Sequence, residues 1–274
     1  MTASPNQTTN APEQNPPRRR RILRRIEVTR MARLSPQMVR VTFTGDDLAA
    51  FAWNGPAAHI KLGFPGEDET APPMPTPDGP RPSIMRTYTP RRFDPSIPAL
   101  DVEFVLHGDG PAAAWAAQAA VGQTLLLGGP GPHYQIDPGA DWFLLLGDAA
   151  ALPAIATILE ALPSVAQARV LLEVAGPREE RELVAPAGAE ITWLHRDPDP
   201  GRADAVLEAA IRTVSLPAGD GRIYVGCEAA AMRRIRRYLL QERDIDPSRL
   251  VTRGYWKLGD TNYTDHDYGT DDQE

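Results

Sequence analysis

At 274 residues the chain is long enough for two domains, each with its own hydrophobic core. Its composition, 42% hydrophobic and 24% charged, is that of an ordinary globular protein, and a net charge of −7 argues against general nucleic-acid binding. The lone cysteine, Cys227, excludes an internal disulfide or an all-cysteine metal cluster.

No apolar run approaches the roughly 18 residues a membrane span needs, and the first residues lack the apolar core of a signal peptide. The expectation is a cytoplasmic protein without stable membrane insertion. Residues 1–17 are rich in Thr, Asn, Gln, Pro and Ala, with little to bury, and residues 1–20 read as a disordered, basic-ended tail. The cluster Arg18–Arg21, Arg24 and Arg25 reads as a solvated lead into the first strand rather than as a membrane or nucleic-acid patch.

Residues 21–138 have the texture of an all-β domain. Ile22–Arg30, Met38–Thr44, His59–Phe64, Met85–Arg91, Leu100–His107 and Thr124–Leu127 are short β-rich runs separated by Gly, Pro and Asp. Val39, Val41 and Phe43 alternate with Arg40 and Thr42, as period-2 burial requires. Six such strands suit a small antiparallel barrel. The Pro-rich insert between Pro65 and Pro82 has no periodicity and reads as a loop.

Residues 139–260 read instead as an α/β domain with a parallel sheet covered on both faces. Trp142–Leu146, Arg169–Ala175, Ile191–Leu194, Ile223–Gly226 and Leu250–Trp256 are predicted strands. Leu152, Ile155, Leu159 and Leu162 fall at helical spacing, Ala203–Val214 is a predicted helix, and Met232, Ile235 and Leu239 line another. Residues 261–274 form an acidic tail.

Three stretches carry chemistry. In Arg86-Thr87-Tyr88-Thr89 the strand period places Arg86 and Tyr88 on one face and Thr87 and Thr89 on the other. A ring beside a guanidinium fork can cover a flat heterocycle and clamp a phosphate; the plainer reading is an exposed edge strand with solvated arginines, Arg91 among them. In His107-Gly108-Asp109-Gly110-Pro111-Ala112-Ala113-Ala114-Trp115, glycines end a strand and Pro111 suits a first helical position. The amides there make either an anion cradle or only a turn. The third stretch, Gly147-Asp148-Ala149, follows an apolar strand at the place where a nucleotide crevice is expected, but it lacks the G-x-G-x-x-G pattern.

In this order the motifs resemble the ferredoxin–NADP reductase architecture. More specifically, Arg86–Thr89, Val105–Gly108, Gly110–Ala112, Trp115-Ala116, Gly128–Pro130, Gly147-Asp148, Leu152–Ile155 and Gly254–Gly259 resemble the siderophore-interacting protein family, across about residues 20–260. The resemblance implies a flavin-dependent ferric-siderophore reductase that takes electrons from NADPH or NADH and releases Fe(II). Arg86, Thr87, Tyr88 and Thr89 would hold FAD, with His107 and Gly108 lining it and the Gly110, Pro111, Ala112 and Ala113 turn taking its pyrophosphate beside Trp115. Gly147, Asp148 and Ala149 would face the nicotinamide nucleotide. Trp256 and Lys257 would stand at the flavin edge and the substrate, with Arg91 as a further substrate cation. No residue is expected to act as acid, base or metal ligand, because the flavin carries the chemistry.

Two departures from the family pattern stand out. Ala149-Ala150-Ala151 replaces a Glu-Thr-Ala run, and Cys227 stands where the family usually has a glycine. Two other readings stay open: a flavoprotein that feeds a protein acceptor, and a non-catalytic ferric-siderophore-binding protein, which the altered turn keeps alive. Catecholate against hydroxamate substrate, NADPH against NADH, and the oligomeric state have no readable signature. Arg178, Arg181 and Arg196 are candidate 2′-phosphate cations, offset by Glu173, Glu179 and Glu180.

Overall fold

The computed structural model describes residues 22–66, 69–74, 82, 84–106, 110–196, 206–261, 263 and 268. The predicted N-terminal tail, the turn His107-Gly108-Asp109 and most of the C-terminal tail lie outside the described residues.

The first half is built from β1 (Leu23–Ser35), β2 (Met38–Thr44), β3 (Ile60–Phe64), β4 (Ile84–Tyr88), β5 (Pro90–Asp94), β6 (Ala99–Val105) and β7 (Thr124–Gly128). Helix α1 (Pro111–Ala117) lies between β6 and β7. The strands form one antiparallel seven-stranded sheet in the order β4-β3-β7-β1-β2-β6-β5. Thr89 alone joins the two edge strands, so the sheet curls round until its edges come together as an open barrel. This is one strand more than expected. The run Met85–Arg91 is two strands, because Pro90 has no N–H to continue the ladder and β5 starts afresh against β6.

Alternation fills the barrel. Ile26, Val28, Val41, Phe43, Leu100, Val102, Phe104, Leu125 and Leu127 point inward and are buried. Helix α1 plugs the barrel with Trp115, whose ring lies 5.4 Å from Phe64, 5.7 Å from Phe104 and 6.3 Å from Phe43.

The second half is a parallel five-stranded sheet in the order β10-β9-β8-β11-β12. Its strands are β8 (Trp142–Asp148), β9 (Gln167–Val174), β10 (Gly188–His195), β11 (Gly221–Glu228) and β12 (Leu250–Trp256). Helix α2 (Leu152–Ala161) covers one face, and α3 (Val206–Thr213) and α4 (Ala229–Gln241) cover the other. Every residue of β8 is buried, as a strand covered on both sides must be. The chain leaves β8 toward β9 on one side and later places β11 on the other. The carboxyl ends of β8 and β11 therefore flank the switch point where such sheets bind ligands.

Polar contacts fix the two halves together. Arg91 forks onto Glu160 of α2, the Ala57 amide donates to Thr157 Oγ1 at 2.9 Å, and Ser35 bonds Glu179. At the centre of this junction Glu103 of β6 is fully buried and pairs with Arg40 and with Arg181 of the second half. Among the described residues no helix is long and apolar enough to cross a membrane.

Candidate functional site

A cleft of about 440 Å³ opens between the barrel edge and the carboxyl end of the second sheet. Its barrel wall is Met85–Tyr88 of the edge strand β4, the joining residue Thr89, and Lys61 of β3. Gly110, Ala112 and Ala113 close one end, and Ala150, Pro153 and Tyr255–Leu258 form the opposite wall.

Arg86 and Tyr88 pair in register with Leu62 and Ile60, whose side chains fill the barrel core. The Tyr88 ring therefore packs inward, 4.5 Å from Phe104, while still lining the cleft. Burial pushes its phenol well above the ordinary tyrosine range, with the Arg86 charge opposing, so it stays neutral at physiological pH. The Arg86 guanidinium donates to the Met85 carbonyl at 2.8 Å and the Thr261 carbonyl at 2.6 Å. At the head of α1, Gly110 provides no side-chain cap, and a Cβ built there would meet nothing within 4 Å among the described residues. Ala112 and Ala113 line the same cleft as Arg86.

Asp148 lies behind the cleft rather than in it. Its carboxylate is buried and accepts from the Ala150 amide at 2.9 Å, the Ala151 amide at 3.3 Å, the Glu228 amide at 3.0 Å and Trp256 Nε1 at 2.7 Å. One side chain thereby ties the ends of β8, β11 and β12 and aims the Trp256 indole along the cleft. Desolvation holds the Asp148 pKa above its usual value, opposed chiefly by the Trp256 bond. Gly147 is required by packing, since a Cβ there would lie 2.5 Å from Ile155 Cδ1 and 3.0 Å from the Gly226 carbonyl.

Of the residues predicted from sequence, Arg86, Thr87, Tyr88, Thr89, Gly110, Ala112, Ala113, Trp256 and Lys257 line one cleft. Pro111 starts α1, Trp115 belongs to the barrel core, and Ala149 faces a separate small crevice, with Ala150 and Pro153 taking its place in the cleft. Arg91 is not brought to the cleft, because Glu160 and Glu103 hold its guanidinium at the domain junction. His107 and Gly108 lie outside the described residues. Arg181 and Arg196, candidates for a nucleotide phosphate, are bound to Glu103 and Glu173. Cys227 is buried, and desolvation followed by Asp148, Glu173 and Glu228 pushes its thiol far above the ordinary range. It is an unreactive core residue.

Sequence reasoning missed Tyr255 and Glu103. Tyr255 lines the cleft beside Trp256 and Lys257 and shares a 2.9 Å hydroxyl contact with Tyr224; its place next to Trp256 in Gly254–Gly259 is the signal that could have found it. Glu103 reads as a solvent-facing residue between Val102 and Phe104, and only its arginine partners from distant segments reveal its burial.

Two family models match the chain: a siderophore-interacting FAD-binding domain over residues 27–134 and a siderophore-interacting protein domain over residues 140–259. The ferric vibriobactin reductase ViuB of Vibrio cholerae is 34% identical over 254 residues, covering 89% of this chain and 93% of that protein. An NADPH-dependent ferric-chelate reductase of Escherichia coli is 30% identical, covering 85% and 92%. A siderophore utilization protein from T. fusca superposes with a TM-score of 0.81 at 39% identity, covering 90% and 97% of the two chains. A ferredoxin reductase of carbazole 1,9a-dioxygenase, 18% identical with a TM-score of 0.63, covers 84% of this chain and 68% of its own and shares the fold. The chain belongs to the siderophore-interacting protein family.

Proposed function

We propose that this protein is an FAD-dependent NAD(P)H:ferric-siderophore reductase that releases iron as Fe(II) in the cytoplasm. The observation that carries the reading is the convergence of Arg86–Thr89, the uncapped Gly110–Ala113 turn and Trp256-Lys257 on one cleft. The division into a flavin-binding part (residues 21–138) and a nucleotide-binding part (139–260) is part of the same proposal.

The residues fit the cofactor. Gly110, Ala112 and Ala113 line the same cleft as the Arg86 fork, and among the described residues a Cβ on Gly110 would meet nothing within 4 Å, so the start of α1 and Arg86 together would hold a phosphate. When bound, the flavin supplies two-electron uptake from the nicotinamide and one-electron release. Tyr88 offers a neutral aromatic wall, Thr87 and Thr89 offer hydroxyls, and Asp148 holds Trp256 as the facing wall. Lys257, exposed at the rim, and Lys61 attract an anionic ferric complex. Hard oxygen donors favour Fe(III), so reduction loosens the chelate without breaking a covalent bond in the siderophore.

Anaerobic titration tests the proposal. The purified protein should be yellow, NADPH or NADH should bleach it, and a ferric siderophore should restore the colour while a ferrous chelator registers Fe(II). Colourless protein that refuses added FAD overturns the proposal. Reoxidation by a ferredoxin but not by ferric siderophores would assign a protein acceptor instead.

A further inference from the structure

A cluster of charge fills the junction between the two halves, beside the cleft. Arg40, Arg91 and Arg181 converge on Glu103, whose side chain is fully buried. Arg40 Nη2 lies 2.6 Å from Glu103 Oε1, Arg91 Nε lies 3.6 Å from the same oxygen, and Arg181 takes Oε2. Arg91 also forks onto Glu160, with Nη1 donating to Oε2 at 3.0 Å. Three guanidiniums thus share two carboxylates, and Arg91 Nε and Arg181 Nη1 are buried with no hydrogen-bond partner among the described residues.

Such a cluster is poor glue. Desolvating the ions offsets most of their attraction, and apolar residues of similar volume often hold a junction as well or better. What the ions supply is direction, since a guanidinium fork meets its carboxylate at few placements of the two halves. The places they connect are those the reaction brings together. Glu103 itself lines the cleft, and Arg91 stands two residues beyond Thr89 of the same wall. Across the junction, Arg181 lines a small crevice with Ala149 of the β8–α2 turn, and Glu160 sits at the far end of α2 from Pro153. Two residues before Arg181, Glu179 accepts from Ser35 Oγ and from the Gln37 amide at 3.2 Å. The segment after β9 is therefore bolted to the barrel at two points, next to the turn read as facing the nucleotide.

Resting on the reading of the cleft as the flavin site and of the β8–α2 turn as the nucleotide site, we infer that Arg181 and Glu103 are positioning residues for hydride transfer. Their pairing sets the separation between the flavin wall and the nucleotide half. In that step a hydride, two electrons with one proton, passes between the two cofactors, leaving the nicotinamide oxidised and the flavin reduced. The reacting atoms must stand about 3–3.5 Å apart, and a misplacement of about 1 Å costs roughly a hundredfold. Reoxidation makes no such demand, because single electrons reach the ferric complex at the rim without a transferred nucleus.

The test uses the flavin-loaded full chain with Arg181→Gln, Glu103→Gln and the double variant, each checked for flavin content and melting temperature. Arg181→Gln is the primary variant, because Arg181 does not line the cleft and its loss leaves Glu103 paired with Arg40. In anaerobic stopped flow at saturating NADPH or NADH, flavin reduction should slow about a hundredfold in each single variant and no further in the double. Nucleotide affinity and the rate of reoxidation by a ferric siderophore should match the parent's. In the flavin-free proteins, hydrogen exchange at the Gln37 and Ala57 amides, which donate across the junction, should quicken. Flavin reduction at the parental rate in either single variant overturns the inference and leaves the reductase reading standing. A loss of nucleotide affinity in Arg181→Gln, with the rate at saturation kept, makes Arg181 a nucleotide contact and also overturns it. Equal slowing of reduction and reoxidation, or junction amides that exchange as in the parent, would mean that the pair does not set this separation. A parent protein whose flavin no nicotinamide nucleotide reduces overturns both readings.

Discussion

A buried carboxylate with every oxygen satisfied tolerates no amide in its place, because an amide turns one acceptor into a donor. At Asp148 the two oxygens face only donors: the Ala150, Ala151 and Glu228 amides and the Trp256 indole N–H. Asp148→Asn should cost about 1–3 kcal/mol by denaturant unfolding, and should change Trp256 fluorescence as the indole loses its partner. The pH dependence has a definite sign. Desolvation raises the folded pKa of Asp148, so the native state binds more protons than the unfolded chain between the ordinary carboxylate value and the raised one. This contribution to stability is present below the unfolded pKa and is lost as pH rises through the folded one. The deficit of the Asn variant should therefore narrow from acid toward neutral pH, and a deficit that widens would contradict the burial argument. Arg86 has a different part. Its fork turns to backbone carbonyls beside the cleft, so Arg86→Ala should leave the fold intact. FAD affinity should fall by roughly 1.5–3 kcal/mol, the worth of a charge-assisted pair. Equilibrium dialysis with FAD checks this, and unchanged affinity would remove Arg86 from the cofactor site.

At the scale of elements, the passage from β8 into α2 sets how closely sheet and helix approach. Gly147→Ala drives a methyl into Ile155 and Ala151, an overpacking that should cost about 1–3 kcal/mol and lower the melting temperature. The expected effect on the nicotinamide half-reaction is indirect, through displacement of α2 and with it Pro153, which lines the cleft. Normal stability in this variant would show that the helix shifts without cost. Elements governed by local pattern were legible in the sequence. Val39, Val41 and Phe43 of β2 announce a barrel strand, and Met232, Ile235 and Leu239 announce the buried face of α4. The break at Pro90 was legible in principle and was missed, because β-formers on both sides hide a one-residue bend. Trp115 and Arg91 sit within motifs yet serve the core and the domain junction. Their partners Phe104 and Glu160 stand 11 and 69 residues away, beyond any local signal. The same holds for Glu103, whose partner Arg181 is 78 residues distant.

At the scale of the whole molecule, a net charge of −7 opposes the approach of an anionic iron complex, and the cations lining the cleft must overcome it. Lys257 stands foremost, exposed at the rim of the cleft just past the end of β12, in a turn closed by the Asp260 amide donating to its carbonyl at 3.1 Å. The turn holds its backbone while the side chain follows a ligand of variable shape. Lys257→Glu should leave flavin content and reduction by nicotinamide nucleotide unchanged, since the Trp256 wall is held independently by Asp148. Reduction of an anionic ferric siderophore should fall by about tenfold at low salt, and of a neutral one hardly at all. The deficit should shrink as ionic strength rises, because charges more than about 10 Å apart are largely screened at 0.1 M salt. Stopped-flow reoxidation of the reduced flavoprotein across a salt series separates attraction from contact. A deficit that persists at high salt would mean that Lys257 touches the bound complex. A variant that reduces anionic and neutral complexes like the parent at every salt concentration would mean that the substrate enters elsewhere.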